Sequence, residues 1–286
     1  MEYITTVHVN SVSEERDEEY LNWYGYVHFR DVMGMPGHIS GQRFWQSEYQ
    51  PKNADLTYRF WTIYELTDKE LSTKGHQAAV LSWKMMISSA MDLSDYKESY
   101  WDGVYGSVPY ACFAEFGKEQ DCLVALIGPK DGVDVNVEDV LTLDVINKLA
   151  VMKGVYAANL YKFGEGQMQK KTAKKENFTH QLVVQLKDAR DGIASWDALA
   201  DEMAAELDKL QISICNYVSL HPRLKQCDRY ETQQDRAIAS LYHMFTCLPG
   251  YHASSPVYPI NYTDILTPAI KQKLEALEAK EKEEAK

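Results

Sequence analysis

Short runs of β-branched and aromatic residues alternate along this chain with stretches of helical spacing. Residues 5–10 are a short β-branched run and predict a strand, with His8 facing opposite to Val7 and Val9. Ser13 followed by Glu14, Glu15, Asp17 and Glu18 marks a helix start that runs to about Met35, where Pro36-Gly37 stops it. Residues 39–45 predict a second strand, 50–55 a turn-rich loop, and 56–66 a third strand dense in Tyr58, Phe60, Trp61 and Tyr64. Residues 71–91 carry Ala79, Val80, Trp83, Ile87, Ala90 and Met91 at helical spacing, and a fourth strand follows near 103–113. The order is β-α-β-β-α-β, a ferredoxin-like unit.

The same order recurs downstream. Residues 122–127, 155–163, 178–186 and 212–220 predict strands, and 137–152 and 196–210 predict helices. Met35-Pro36-Gly37 lies over Met152-Lys153-Gly154, and Leu66-Thr67-Asp68 over Leu186-Lys187-Asp188. The expected architecture is α+β, with residues 1–117 as a first ferredoxin-like unit, 118–222 as a second, degenerate one, and 223–286 as a C-terminal extension. That extension has a helical stretch near 233–245, a Pro-rich crossing and a terminal helix after Pro268.

Composition narrows the partners. The 286 residues carry 30 Lys+Arg against 42 Asp+Glu, a formal charge of −12 that opposes nucleic acid and anionic lipid. No apolar run reaches the roughly 18 residues of a membrane span. Met1-Glu2-Tyr3-Ile4 opens no signal-peptide pattern. The five cysteines, at 112, 122, 215, 227 and 247, form no CxxC pair and read as reduced thiols of a cytoplasmic protein. The aromatic content is skewed, with 19 Tyr and 6 Trp against 8 Phe, as suits a wall that is both apolar and able to hydrogen-bond.

The run Trp23-Tyr24-Gly25-Tyr26-Val27-His28 through Met35-Pro36-Gly37, with Arg43 beyond it, resembles the first helix of EthD-like proteins in the dimeric α/β-barrel superfamily. Trp61-Thr62-Ile63-Tyr64-Glu65-Leu66 resembles that family's third strand, and the likeness covers roughly residues 4–110. It implies antiparallel sheets with helices outside, two units pairing into an α/β barrel. Members of the superfamily include cofactor-free isomerases, cyclases, decarboxylases and monooxygenases, besides haem-binding branches, so the fold leaves the reaction open.

Tyr24, His28 and Asp31 stand at i, i+4 and i+7 on one helical face. A carboxylate that orients an imidazole, beside a phenol donor, suits proton transfer on a phenol, enol or lactone. Arg43 suits a fork that holds a substrate carboxylate. His8, Trp23, Tyr58, Trp61, Tyr64 and Trp83 complete the expected substrate wall. The expected activity is a lyase, isomerase or decarboxylase acting on an aromatic or conjugated ring compound without organic cofactor, in a homodimer. The alternatives are an oxygenase, cofactor-free or using haem on an axial His28, His180 or His221, and a non-catalytic binding module. No metal-ligand spacing, Walker A, G-x-G-x-x-G or G-x-S-x-G motif occurs.

Overall fold

A computed structural model describes residues 3–35, 37–68, 70, 72, 88–106, 120–164, 178–225, 272, 275, 276 and 279. The chain folds as α+β, with a large antiparallel sheet, few helices, and a strand arrangement compatible with a ferredoxin-like fold. Its strands are β1 (Tyr3–Ser11), β2 (His38–Gln46), β3 (Phe60–Leu66), β4 (Met91–Gly106), β5 (Asp121–Pro129), β6 (Val155–Phe163), β7 (His180–Leu186), β8 (Leu210–Ser219) and the short β9 (Leu224–Lys225). They lie in the order β3-β1-β4-β6-β7-β5-β8-β2-β9, and β3 also pairs with β2, so each of the eight long strands has a neighbour on both edges. No described helix is long and apolar enough to cross a membrane.

By its contacts the chain divides into two compact units that interleave in sequence: residues 1–10, 41–65 and 94–224, and residues 11–40, 66–93 and 225–286. In the first, β5 to β8 are apolar on both faces, and the pleat sorts their side chains. Leu123, Ala125, Ile127, Leu160, Leu182, Val184 and Ile214 pack with Ile146 and Leu149 of helix α4 (Leu143–Ala150) and with Ile193, Trp196 and Leu199 of helix α5 (Ala189–Glu202). The alternate residues Cys122, Val124, Leu126, Tyr161, Val183, Cys215 and Tyr217 face the other way and meet Ile4, Phe44, Trp61, Ile63 and Trp101. This second core draws on all eight long strands.

The segment after β8 is fastened to β2 and β3. Leu220 N donates to Arg43 O at 3.0 Å, and Gln42 Nε2 donates to Ser219 Oγ at 2.7 Å. Arg223 and Glu65 form a buried ion pair.

Several elements differ from the sequence expectation for local reasons. The first helix is broken into a 3-10 turn (Glu14–Arg16), α1 (Asp17–Trp23), a π-helical turn (Tyr24–His28) and α2 (Phe29–Met33). The third strand begins at Phe60 rather than 56. Asn10 explains the late start, because its side chain binds Thr57 O and Arg59 N, each at 2.8 Å, and so occupies backbone groups a ladder would use. The fourth strand begins at Met91, where the expected helix was to end; residues 73–87, and Trp83 with them, lie outside the described residues. So do the expected elements at 107–113, 233–245 and beyond Pro268, apart from the four helical residues 272, 275, 276 and 279. The helix expected at 137–152 divides into α3 (Val137–Val140) and α4. The helix expected from 196 starts at Ala189, because the Asp188 carboxylate caps Asp191 N, and ends at Glu202 before a short α6 (Ala204–Leu207).

The two stretches matched in sequence share a backbone device. Gly37 and Gly154 sit at φ 83° and 78°, and their carbonyls accept from Thr67 N at 2.8 Å and Lys187 N at 2.7 Å. Asp68 O then accepts from Ser72 N at 3.1 Å, and Asp188 O from Gly192 N at 2.9 Å. Glycine is required at 154 twice over, since a Cβ would stand 2.3 Å from Gly192 N. Gly132 has the same φ, 78°, with nothing within 4 Å of an added Cβ. Gly132→Ala should therefore cost only the left-handed backbone penalty, about 1–2 kcal/mol, and Gly154→Ala at least twice that. Denaturant titration measures both, and equal losses would remove the close approach as a constraint.

Candidate functional site

In the first unit, β1 turns Ile4, Thr6 and His8 to the same face, since residues two apart share a side. Ile4 belongs to the core that draws on all eight long strands, so the two polar side chains beside it enter an apolar interior. The His8 ring lies 5.9 Å from Tyr58, 6.3 Å from Trp61 and 6.5 Å from Tyr217, measured between centroids. Trp61 in turn lies 4.9 Å from Phe44 and stacks on Tyr217 at 5.9 Å.

Electrostatics follow from this setting. The His8 pKa falls from 6.5 to about 3, first because burial disfavours the imidazolium and then because Lys97 repels it, with Asp55 opposing. The imidazole is therefore neutral at physiological pH. Burial raises the Cys215 thiol to about 11 and lifts the Tyr217 phenol well above its ordinary value, so both stay protonated. Burial also pushes the Asp55 carboxyl upward, but hydrogen bonds from Ser213 and Thr57, with Lys97 nearby, outweigh it and leave the group below its usual value. Tyr58 Oη donates to Asp95 Oδ1 at 2.8 Å, and Tyr217 Oη donates to Tyr58 O at 3.1 Å. These bonds fix both rings around His8.

A second polar feature enters the same interior. Trp101 Nε1 donates to Thr6 Oγ1 at 2.8 Å, and Thr6 Oγ1 donates to Gln181 Oε1 at 3.1 Å. Gln181 lies two residues before Val183 and so on its face of β7. Trp61 Nε1 and Gln181 Nε2 are buried without a hydrogen-bond partner among the described residues.

The helical trio belongs to the second unit. Its π-helical turn pairs positions five apart as well as four, and this sets the His28 ring against two aromatics. His28 stacks on Trp23 at 4.9 Å and meets Tyr24 edge-on at 4.8 Å. Trp23, Tyr24, His28 and Asp31 are all buried.

The expected residues thus divide. His8, Tyr58 and Trp61 come together in the first unit, and Trp23, Tyr24 and His28 come together in the second. Tyr58 precedes β3, which frees it from the strand's alternation and lets it meet His8 beside Trp61. Tyr64 is buried on the face of β3 opposite to Trp61 and Ile63. Arg43 adjoins Phe44 in β2 and therefore takes the opposite face from it.

Sequence reading missed Thr6, Trp101, Gln181, Cys215 and Tyr217. One signal was available: His-Gln-Leu-Val-Val-Gln-Leu in β7 places Gln181 and Gln185 on one face of an otherwise apolar strand. Among the described residues, no group of three or more His, Cys, Asp or Glu could hold a metal ion.

No family model and no curated protein matches the sequence. Among solved structures, an anthrone oxidase-like protein is similar over 80% of this chain and 95% of its own length, at 8% identity and a TM-score of 0.55. That likeness shows a shared fold. Two proteins carrying a provisional monooxygenase name are also similar. The one from Fusobacterium nucleatum covers 78% of this chain and 97% of its own at 12% identity, with a TM-score of 0.43. The one from Lactobacillus acidophilus covers 79% of this chain and 97% of its own at 11% identity, also at 0.43.

The depressed His8 pKa has a consequence for stability. Below about pH 6.5 the unfolded chain takes up a proton that the folded imidazole refuses until about pH 3. Stability is therefore full above pH 6.5 and falls as pH drops through that window, by up to about 1.4 kcal/mol per pH unit. His180, whose pKa is also lowered by burial, adds to the slope. His8→Gln should flatten the fall in melting temperature between pH 6.5 and 4 relative to wild type. An unchanged slope would mean that the folded protein protonates His8 freely.

Proposed function

We propose that the chain is a small-molecule enzyme of oxygenase type, acting on an aromatic or conjugated ring compound in the interior of the sheet without an organic cofactor. The observation that carries this reading is the neutral, buried His8 imidazole set among Tyr58, Trp61 and Tyr217, beside an indole N–H that has no partner among the described residues. Flat apolar walls suit a ring, and the indole hydrogen suits an oxygen on it. The name of the structural neighbour with a TM-score of 0.55, an anthrone oxidase-like protein, agrees with an oxidation.

The fold proposed for this site is two ferredoxin-like units, 1–117 and 118–222, closed into one α/β barrel, with 223–286 as an extension. The strand order supports it, since β4-β1-β3-β2 and β8-β5-β7-β6 are the same sequence of neighbours, joined at β4–β6 and β2–β8. The shared device at Gly37 and Gly154 supports it as well. Association into a homodimer and a cytoplasmic setting belong to the same proposal.

The chemistry begins with a proton. A substrate C–H or O–H made acidic by conjugation passes its proton to His8, and the anion left beside the imidazolium offsets its burial cost. The carbanion form of the substrate then reduces dioxygen with formation of a C–O bond, the His8 imidazolium returns its proton to the peroxide anion, and loss of water from the resulting hydroperoxide converts CH2 to C=O. A decarboxylase would need an anion clamp in the same interior, and Arg43 takes the other face of β2.

A second reading keeps the lyase or isomerase chemistry on His28, with Asp31 and Tyr24 in support. What favours it is the π-helical turn that holds His28, a feature frequent at functional sites. Oxygen uptake with a hydroxynaphthalene or anthrone panel separates the two. Under the first reading His8→Gln loses about 100-fold or more in rate while His28→Ala stays near wild type. The reverse pattern transfers the chemistry to His28. A Soret band in the purified protein would overturn the cofactor-free reading, and the absence of turnover across the panel would favour a binding module.

A further inference from the structure

We infer that Gln181 is a specificity-determining residue for an oxygen of the ligand, and that Trp101 and Thr6 act through it as positioning residues. This inference rests on the ring-compound reading above and names its substrate class: compounds with a carbonyl or phenolate oxygen on the ring, such as quinones and anthrones.

The argument turns on the direction of three hydrogen bonds. An indole N–H can only donate, so Trp101 fixes Thr6 Oγ1 as an acceptor, at 2.8 Å. The Thr6 hydroxyl hydrogen then needs an acceptor of its own, and Gln181 Oε1 lies 3.1 Å away. Were the amide turned over, Thr6 would face two donors. Its own hydrogen and Gln181 Oε1 would then both lose their bond. The relay therefore orients the amide, with its oxygen toward Thr6 and its NH2 group away from it.

Gln181 is fully buried, and its Nε2 has no partner among the described residues. Buried amide donors are almost always satisfied, so this one is held for an acceptor that the described residues do not supply. The same holds for Trp61 Nε1, also fully buried and also without a partner among the described residues. Both groups only donate in this arrangement; Trp61 packs in the cluster that holds Phe44, Tyr161, Val183 and Tyr217, and Gln181 shares the face of Val183 on β7. An apolar ring without oxygen would leave the two donors unsatisfied. A quinone or anthrone satisfies them.

Direct binding tests this without turnover. The full chain is titrated with 1,4-naphthoquinone and with naphthalene, read by quenching of tryptophan fluorescence. The quinone should bind more tightly, and Gln181→Leu should weaken it about tenfold while leaving naphthalene unchanged. Thr6→Val, which frees the amide to turn, should weaken quinone binding in the same direction by less, with Gln181 still present. Thermal melts establish that each variant folds; if Gln181→Leu does not fold, Thr6→Val and Gln181→Met carry the test. Wild-type quinone affinity in a folded Gln181 variant would overturn the inference, as would equal losses for quinone and naphthalene. A selective loss in a protein that consumes no oxygen would leave the binding assignment standing and sink only the oxygenase reading.

Discussion

Strands β5 to β8 carry buried apolar residues on both faces, and the period-two pleat decides which of two dry spaces each of these enters. Leu123, Leu182 and Ile214 go to the helices; Val124, Val183 and Cys215 go to the opposite interior. A slip of one residue in any ladder would exchange the two sets, so the registers of β5 with β7 and β8 fix everything downstream. Gln181 follows from that constraint, because it shares the face of Val183 on β7, while Thr6 and His8 are carried inward on β1 by sharing the face of Ile4.

Polar groups carried into such a space obey strict accounting. Some are closed off, as Arg223 with Glu65, and Gln42 with Ser219 and the His221 carbonyl. Others are held neutral, as His8, the Cys215 thiol and the Tyr217 phenol. A few are left with a bond to offer. The contrast between the closed set and the open set separates polar groups that tie the strands together from buried donors with no partner among the described residues.

Much of the fold was legible because strand alternation and turn glycines are local signals. Gly37 and Gly154 announced themselves through the Met-x-Gly match, and the later Leu-x-Asp match located the residues that clasp them. The late start of β3 was hidden, because it depends on Asn10, which is 47 residues from Thr57 in sequence. The site was legible only in part for the same reason. His8 could be assigned a face from Val7 and Val9, yet its neighbour Tyr217 comes from the far end of the sheet-forming chain. Arg43 and Tyr64 were the right residue types for a site but lie one position out of phase with Phe44 and Ile63.

The π-helical turn at Tyr24–His28 changes how the first helix must be counted. Such a turn amounts to one additional residue inside an α-helix, and each residue is worth about 100° of rotation. A helical wheel drawn from Asp17 is therefore valid only as far as Trp23, and a second wheel, offset by that rotation, applies from Phe29 to Met33. Arg30 and Asp31 present different sides from those an unbroken helix would give them. Any homologous chain with one residue fewer between Trp23 and Phe29 would carry its downstream residues on another side of the helix, however similar the two sequences looked when aligned.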